Sequence, residues 1–180
     1  IDPVRFIGNR SSGKMGFAIA CELAAQGADA VLISGPSSVL LDDKSIRRID
    51  VESAKEMYDA CMLQAGSADI IVMAAAVADY KPAHVSTDKI KKQNNSLTIS
   101  LMPTDDILSD IGKIKKDGQL LIGFALETSN EIENAIDKLK RKNLDLIVLN
   151  SLNDQGAGFN VDTNRIGIID KNLQINEFPL

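Results

Sequence analysis

A polar loop near the start of the chain has the residue types of an anion-binding site. It covers residues 7–16, IGNRSSGKMG, and the apolar spacing of Met15, Ile19 and Leu23 predicts an amphipathic helix that begins near Gly13. Unpaired amide N–H groups and the positive end of the helix dipole favour a phosphate or carboxylate at such a position. The loop therefore predicts a binding site for an anionic group.

Of three further interpretations of this loop, the P-loop and the dinucleotide fingerprint fail on their residues, and the third stays open beside an anion-binding loop. Gly8 to Lys14 has the G-x-x-x-x-G-K spacing of a P-loop, but Met15 stands where a Ser or Thr would bind Mg²⁺. Gly13 and Gly16 match only the last part of the dinucleotide fingerprint G-x-G-x-x-G. The third interpretation is a glycine-rich turn that packs a helix closely on a sheet.

Lysines in two later stretches could neutralise phosphate groups; they are Lys89, Lys91, Lys92, Lys138 and Lys142. The first three lie in the polar stretch 81–95, which has no helical or strand period and predicts either a solvated linker or a mobile flap over an active site. The last two are four residues apart, so they share one face of a predicted helix. Such a pair is either a solvated face or a phosphate-binding pair.

Alternating helix and strand patterns predict the scaffold that positions these residues. Strands are predicted at 30–34, 46–51, 70–75, 97–101, 120–126 and 144–149, and helices at about 13–25, 53–64, 106–111 and 128–143, two of them with capping boxes at Ser53/Glu56 and Thr128/Glu131. The continuously apolar run at 70–75 predicts the middle of a parallel sheet. We therefore predict an α/β fold, a Rossmann-like three-layer sandwich with a mostly parallel sheet.

The end of the chain predicts an added β-hairpin. Residues 165–170 and 173–178 read as two strands around Lys171 and Asn172, at the sheet edge or at a subunit contact, after a turn-rich stretch at 153–160. No linker divides the chain. We expect 1–180 to be a single domain.

Composition excludes several classes of function. The formal charge of −5 argues against general nucleic-acid binding, and the longest apolar run, 70–78, is too short to cross a bilayer. With no signal-peptide pattern at Ile1, a soluble cytoplasmic protein with small-molecule partners is predicted. Cys21 and Cys61 are expected to be buried reduced thiols, and these two with the single His84 cannot build a usual zinc site.

In an open α/β sheet, ligands bind off the carboxyl ends of the strands. The loop at Asn9 and residues 74–79, 105–108 and 124–127 all fall at that edge of the predicted sheet, and we expect them to line one crevice. Small side chains in 74–76 would let a ligand approach the backbone. Phe124 either stacks beside a base or sugar or is simply a core residue.

The order of these motifs resembles one known family. Residues 2–7 (DPVRFI) and 9–16 (NRSSGKMG) are followed by 74–80 (AAAVADY), 89–92 (KIKK), 123–128 (GFALET) and 142–147 (KNLDLI). This succession is similar to phosphopantothenoylcysteine synthetase, the C-terminal half of the bacterial bifunctional coenzyme A biosynthesis flavoprotein. The resemblance extends from Asp2 to about Asn164.

The resemblance implies a two-step ligase reaction in coenzyme A biosynthesis. The carboxylate of 4′-phosphopantothenate attacks the α-phosphate of CTP to give an acyl cytidylate and pyrophosphate, and the amine of L-cysteine then displaces CMP. Mg²⁺ is the implied metal, with unknown ligands, and FMN is implied only for a decarboxylase domain that can be fused upstream. A homodimer with phosphopantothenate near the subunit boundary is also implied. The rival hypotheses are an NAD(P)-binding Rossmann oxidoreductase and a non-catalytic nucleotide-binding module.

Site residues follow from the resemblance, position by position. Those implied to bind phosphopantothenate or to act on it are Arg5, Asn9, Ser12, Gly13 and Ala76, and those implied to contact CTP are Met73, Ala74, Ala75, Asp79, Lys89, Asp105, Asp106, Ile107, Leu108, Phe124, Lys138 and Lys142. Asn9 and Lys89 are implied to be catalytic, with Asn9 near the reacting carbonyl and Lys89 as a mobile clamp.

The chain departs from the family pattern in two places. The family often has Asn-Pro-Asp-Ile where this chain has TDDI at 104–107, and in the family a strand ending in Gly-Gly-Thr precedes the loop at Asn9. Since the chain begins at Ile1 without that strand, we expect it to be a fragment that also lacks its C-terminal end.

Overall fold

Helices and strands alternate along most of the chain in the computed structural model, which describes residues 1–92, 96–127, 129–151 and 166–178. Within these residues the elements are α1 (Lys14–Ala25), β1 (Val31–Ser34), β2 (Arg47–Asp50), α2 (Ala54–Ala65), β3 (Ile70–Met73), β4 (Tyr80–Pro82), β5 (Leu101–Pro103), α3 (Ile107–Ile114), β6 (Leu120–Glu127), α4 (Glu131–Arg141), β7 (Leu146–Ser151), β8 (Ile166–Asp170) and β9 (Ile175–Phe178).

The largest sheet has the strand order β3-β6-β7-β8-β9. Its first three strands are parallel, with Met73 opposite Gly123 and Phe124 opposite Val148, whereas β8 and β9 are antiparallel. β1 and β2 form a separate parallel pair. The predicted α/β fold with a mostly parallel sheet and a C-terminal hairpin is therefore confirmed.

The prediction that residues 70–75 lie in the middle of the sheet is wrong within the described strands. β3 ends at Met73 and pairs on one side only, with β6, and Ile70 is 48% exposed. Ile71 and Met73 lie on one face of β3 and pack against the core, and Val72 on the other face is half-buried. A continuous apolar run indicates cover on the faces of a strand. It does not indicate whether both backbone edges are paired.

The hydrophobic core lies between the five-stranded sheet and helices α2, α3 and α4. Its fully buried large side chains are Ile111, Leu121, Ile147 and Ile169. Helix α4 buries Ala135 and Leu139 as its spacing predicts, but Ile132 is 46% exposed because it lies in the first turn, at the rim of the buried stripe. Burial of this apolar surface is the main favourable term for such a fold.

Helices α1, α2 and α3 start where the sequence predicts, but only α2 and α3 have side-chain caps. The hydroxyl of Ser53 accepts from the amide of Glu56 at 3.2 Å in the predicted capping box of α2, and Asp106 caps α3. Helix α1 instead follows Gly13 in a left-handed conformation, without a side-chain cap. Glycine adopts this conformation without the steric cost that serine would carry.

A short antiparallel ladder replaces the strand predicted at 97–101. β4 pairs with β5 in the register Tyr80–Pro103, and the amide of Ala83 extends the ladder to the carbonyl of Ser100 at 2.9 Å. The strand therefore starts only at Leu101, and Lys81 and Pro82, predicted as flap, lie in β4. The alternating apolar residues at 97 and 99 precede the paired segment, so period alone misplaced the strand.

The cysteines differ in exposure, and the prediction of two buried thiols is half wrong. Cys61 is buried, which raises the pKa of its thiol to about 11. Cys21 is exposed, although it follows the buried Phe17 by four residues and the buried Ala20 by one in α1. In the described residues, no group of three or more His, Cys, Asp or Glu side chains could hold a metal ion.

Some predictions fall outside the described residues. They are the part of the flap at 93–95, the turn-rich stretch at 153–160 and the first residue of the hairpin, Arg165. The capping box predicted at Thr128/Glu131 is wrong, because α4 has Asn130 as its N-cap and Glu131 as its first residue. Among the helices that are described, none combines the length and apolar character required to span a membrane.

Candidate functional site

The loop before α1 contacts the loop after β3, as the crevice prediction requires. The side-chain amide of Asn9 donates to the carbonyl oxygen of Val77 at 3.1 Å. A Cβ added at Gly16 would lie 3.9 Å from the Cβ of Ala74, so the first turn of α1 also packs beside this loop. Residues 68 positions apart in the chain thus meet at the carboxyl end of β3.

The turn at Ser12 and Gly13 is held from the far side by Ser37. The hydroxyl of Ser37 donates to the carbonyl oxygen of Ser12 at 2.7 Å. Gly13 has a φ of 81°, and a Cβ there would lie 3.2 Å from the same hydroxyl oxygen. The positive φ therefore favours glycine, and a Cβ would also require Ser37 to shift slightly. The hydrogen bond from Ser37 ties the turn to the loop after β1.

Small residues follow β3 as the chain turns toward the ladder. Met73 packs on the core, Ala74 is half-buried, and Ala75 and Ala76 are exposed. Exposed alanines leave their backbone groups accessible to a ligand.

Thr104 fastens the end of this loop. Its hydroxyl donates to the carbonyl oxygen of Ala78 at 2.7 Å, and its amide donates to the carbonyl oxygen of Asp79 at 2.9 Å. The carboxylate of Asp79 remains exposed. The loop after β3 and the segment before α3 are therefore joined beside Asp79, and Asp105, which follows Thr104, is also exposed.

The start of α3 is joined to the end of α4 by an ion pair between two predicted CTP ligands. Asp106 accepts from the amide of Ser109 at 2.9 Å and pairs with the ammonium group of Lys142, whose side chain is only 10% exposed. Partial burial raises the pKa of Asp106, but the hydrogen bonds from Lys142 and Ser109 outweigh it and hold this pKa below its ordinary value. Ile107 is buried and Leu108 half-buried beneath the pair.

The second predicted lysine of α4 reaches the neighbouring strand. Nζ of Lys138 donates to the carbonyl oxygen of Phe124 at 2.7 Å, and both residues are half-buried. Lys138 in α4 and Lys142, its C-cap residue, therefore lie on one face, as their spacing predicts. Their ammonium groups are held by the carbonyl of Phe124 in β6 and by Asp106 at the start of α3.

The two helices approach each other with their backbones nearly in contact at Gly112. A Cβ added there would lie 2.1 Å from the carbonyl oxygen of Lys142, and the side-chain amide of Asn143 donates to the carbonyl of Gly112 at 2.8 Å. Only glycine permits this approach. The glycine thus sets the distance across which Asp106 and Lys142 pair.

Arg5 lies against the predicted flap. Its guanidinium pairs with the carboxylate of Asp2 at 3.1 Å and donates to the carbonyl oxygen of Ile90 at 2.8 Å. Lys89, the preceding residue, is exposed and makes no hydrogen bond or ion pair with any residue that the structure describes. The two predicted ligands are therefore neighbours, joined through the backbone of Ile90.

Sequence reasoning assigned no role to three residues that hold this site together: Asp2, Ser37 and Thr104. Only Asp2 carried a usable signal, since an Asp before a Pro favours a turn closed by its own carboxylate, and its Oδ1 accepts from the amide of Val4 at 2.9 Å. Ser37 and Thr104 act on residues distant in sequence, which no local pattern reveals.

A family model described as the DNA/pantothenate metabolism flavoprotein C-terminal domain matches residues 1–180. The chain belongs to this family. Among curated relatives of this flavoprotein domain, the Haemophilus influenzae protein named coenzyme A biosynthesis bifunctional protein CoaBC is 46% identical over 172 residues, which are 96% of this chain and 42% of that protein. A prokaryotic protein of unknown organism, named cysteine/cysteine sulfinic acid decarboxylase, is 54% identical over all 180 residues and half its own length.

A solved structure shares the fold of this domain along its whole length. The C-terminal domain of a coenzyme A biosynthesis bifunctional protein CoaBC superposes with a TM-score of 0.82 at 40% identity, covering 100% of this chain and 80% of that one. The chain spans about half the length of the curated relatives it matches.

Proposed function

We propose that the domain is the ligase of coenzyme A biosynthesis that joins 4′-phosphopantothenate to L-cysteine at the expense of CTP. A carboxylate oxygen of phosphopantothenate attacks the α-phosphorus, the bond from that phosphorus to the bridging oxygen breaks, and pyrophosphate leaves. The cysteine nitrogen then attacks the acyl carbon, CMP leaves with the electron pair of the broken C–O bond, and the amine loses a proton. The product is 4′-phosphopantothenoylcysteine.

The observation that carries this proposal is the placement of Lys138 and Lys142 on one face of α4. One ammonium group is held in the second half of β6, by the carbonyl of Phe124, and the other at the start of α3, by Asp106. Phosphoryl transfer relies on charge neutralisation and alignment rather than on covalent help from the protein. Two preset lysines beside a helix start suit a nucleoside triphosphate, with Asp79, Asp105, Ile107 and Leu108 around it.

The acyl substrate belongs, in this proposal, on the other side of the crevice. Asn9 projects from the loop before α1 toward Val77, next to the exposed Ala75 and Ala76. The amides at Ser12 and Gly13 and the positive end of the α1 dipole suit an anionic group, and Arg5 supplies a further cation. Asn9 is the residue we place beside the reacting carbonyl.

The chemistry of the donor set is compatible with Mg²⁺. This ion usually keeps several waters and is held by substrate phosphates with one or two carboxylates, rather than by a full cage of protein side chains. Asp79 and Asp105 are exposed carboxylates beside the proposed triphosphate position. Either could add one oxygen ligand, and the metal would supply neutralisation of the phosphate charge.

The decarboxylase name of one relative belongs to a protein twice as long as the matched region. We propose that a flavin-dependent decarboxylase activity, with FMN, resides in the other half of such proteins and can be fused to this domain. The proposed ligase activity is assigned only to the domain formed by residues 1–180.

Release of pyrophosphate from CTP tests the proposed function. The domain is mixed with CTP, Mg²⁺ and 4′-phosphopantothenate without cysteine, and pyrophosphate and bound acyl cytidylate are measured. Addition of cysteine should release CMP and form the amide. Reduction of NAD(P)⁺ in place of pyrophosphate release would support the oxidoreductase alternative. CTP binding without release of pyrophosphate would support the other alternative, a non-catalytic nucleotide-binding module.

We also propose that the domain is a homodimer. The hairpin places β9 at the outer edge of the sheet, with Ile175 42% and Phe178 48% exposed, and such an edge is suited to cover by a second copy. Light scattering at micromolar concentration should give twice the chain mass. Full ligase activity from a protein of monomeric mass would contradict this assembly.

A further inference from the structure

The carboxylate of Asp2 is a buried group whose hydrogen bonds all come from two short segments. The side chain is 0% exposed. Its Oδ1 accepts from the amides of Val4 and Arg5, each at 2.9 Å, while its Oδ2 accepts from the amide of Ile90 at 3.1 Å and pairs with the Arg5 guanidinium at 3.1 Å. One carboxylate therefore ties the turn at residues 2–5 to the stretch that contains Lys89.

Arg5 completes the attachment at Ile90. Asp2 accepts from the N–H group of Ile90, and the guanidinium of Arg5 donates to its C=O group at 2.8 Å. Both polar backbone groups of this residue are thus bonded to the Asp2–Arg5 pair. The backbone of Ile90 is fixed in position and in orientation, although it lies 88 residues from Asp2.

A second attachment lies four residues earlier. The amide of Ser86 donates to the carbonyl oxygen of Ile1 at 3.0 Å, and the hydroxyl of Ser86 donates to the carbonyl oxygen of Asp88 at 2.6 Å. Residues 87–89 are exposed between the two attachments. The backbone of Lys89 therefore has little room to move while its side chain projects from a fixed base.

We infer that Asp2 is a positioning residue of the ligase reaction. It holds the proposed clamp, Lys89, in a fixed position relative to the proposed substrate-binding cation, Arg5, so that both side chains reach the reacting groups together. The inference rests on the proposed function. A carboxylate is required because Asp2 faces donors only: three amides and a guanidinium. Asparagine has the same size, but its NH₂ group would face one of these donors.

A double-mutant cycle of Asp2→Asn and Lys89→Ala tests the coupling in single-turnover pyrophosphate release. The cycle is run at saturating 4′-phosphopantothenate, where a weakened Arg5 contact no longer limits the rate. If Asp2 acts on the chemical step through Lys89, Asp2→Asn slows release at least about tenfold in the parent and less than about twofold in the Lys89→Ala background. Equal slowing in both backgrounds would overturn the inference. If Asp2→Asn does not fold, Asp2→Glu, which keeps the charge but shifts it, takes its place in the cycle.

Asp145→Asn is the matched control. Asp145 also accepts from an amide, that of Leu121 at 2.8 Å, and pairs with a cation, Lys115 at 2.9 Å, but it lies between β6 and β7. At a temperature where all variants are folded, this control should release pyrophosphate within about twofold of the parent rate. If Asp145→Asn slowed pyrophosphate release as much as Asp2→Asn, the effect of Asp2→Asn would reflect the loss of any buried, paired carboxylate and not a positioning role.

Hydrogen exchange separates failure of this inference from failure of the proposed function. The Ile90 amide should exchange at least about tenfold faster in Asp2→Asn than in the parent and should be unchanged in Asp145→Asn. If the parent releases no pyrophosphate but Asp2→Asn speeds exchange at Ile90, the ligase proposal is wrong, and the attachment of Ile90 to Asp2 has no catalytic role. If the parent is active but Asp2→Asn leaves exchange at Ile90 unchanged, only the positioning role of Asp2 is wrong.

Discussion

The Nζ atom of Lys138 donates a hydrogen bond to the carbonyl oxygen of Phe124 at 2.7 Å, across the boundary between α4 and β6. A lysine side chain normally carries several rotatable bonds, and ordering it upon binding costs free energy. The side chain of Lys138 is already ordered in the folded protein by its hydrogen bond to Phe124. A phosphate group that binds beside Phe124 would meet an ammonium group already in place.

Replacement of Lys89 by alanine should slow acyl-cytidylate formation about a hundredfold, a loss of about 3 kcal/mol that is comparable with removal of one oxyanion-hole donor. The reason is that its ammonium would offset charge that grows on the α-phosphate in a closed site. Lys91→Ala is the control, since Lys91 is exposed and follows the attached Ile90. Single-turnover pyrophosphate release measures both. A Lys89→Ala rate within about twofold of the parent would indicate only a solvated lysine.

Asn9→Asp should abolish most ligase turnover without unfolding the domain. The parent side chain donates to the carbonyl of Val77 at 3.1 Å, and a carboxylate there would face that carbonyl and the substrate carboxylate with the wrong charge. Amide formation from cysteine gives the activity, and circular dichroism gives the fold. Turnover at the parent rate would show that Asn9 has no role in the chemistry.

Gly112→Ala should destabilise the domain by at least about 2 kcal/mol, because the new methyl group would meet the carbonyl oxygen of Lys142 at 2.1 Å and the helices must separate. Gly66→Ala is the matched control, since Gly66 has a φ of −67° and nothing within 4 Å of the added Cβ. The control should change the free energy of unfolding by less than about 1 kcal/mol. Urea unfolding measures both variants, and equal midpoints would refute the close contact.

Asp145 should contribute to the loss of stability in acid. Partial burial raises its pKa, but the hydrogen bonds from the Leu121 amide and from Lys115 outweigh this, so the folded pKa is below the ordinary value. Its contribution is fully present above the unfolded pKa of about 3.9 and is lost as the pH falls through the lower folded value. Asp145→Asn should therefore flatten the stability profile below about pH 4. Urea midpoints between about pH 3 and pH 7 test this.

Local signals predicted much of the scaffold correctly. Ser53 and Glu56 form the capping box that their spacing indicates, and Lys138 and Lys142 share a helix face because four residues make about one turn. The parallel β3, β6 and β7 follow from apolar runs separated by helices. In each case the cause lies within a few residues of its effect, so a single sequence suffices.

The parts that could not be predicted depend on contacts between distant residues. Ile70 was expected in the middle of a sheet, but pairing at a strand edge depends on which other strand arrives there. The partner of Asp106, Lys142, lies 36 residues away, and the partner of Asp2, Ile90, lies 88 away. The resemblance named Lys142, Arg5 and Lys89 as ligands, but it did not predict that Arg5 and Lys89 would be joined through Ile90.

The closeness of Gly112 to the carbonyl of Lys142 restricts how this sequence can drift over evolutionary time. Every residue except glycine carries a Cβ, so any substitution at 112 must be accompanied by a change that moves α3 away from the end of α4. Two changes that are each harmful alone rarely become fixed together. A single substitution at Gly112 is therefore disfavoured during evolution. As long as the glycine remains, α3 and the end of α4 keep their spacing, and Asp106 and Lys142 stay close enough to pair.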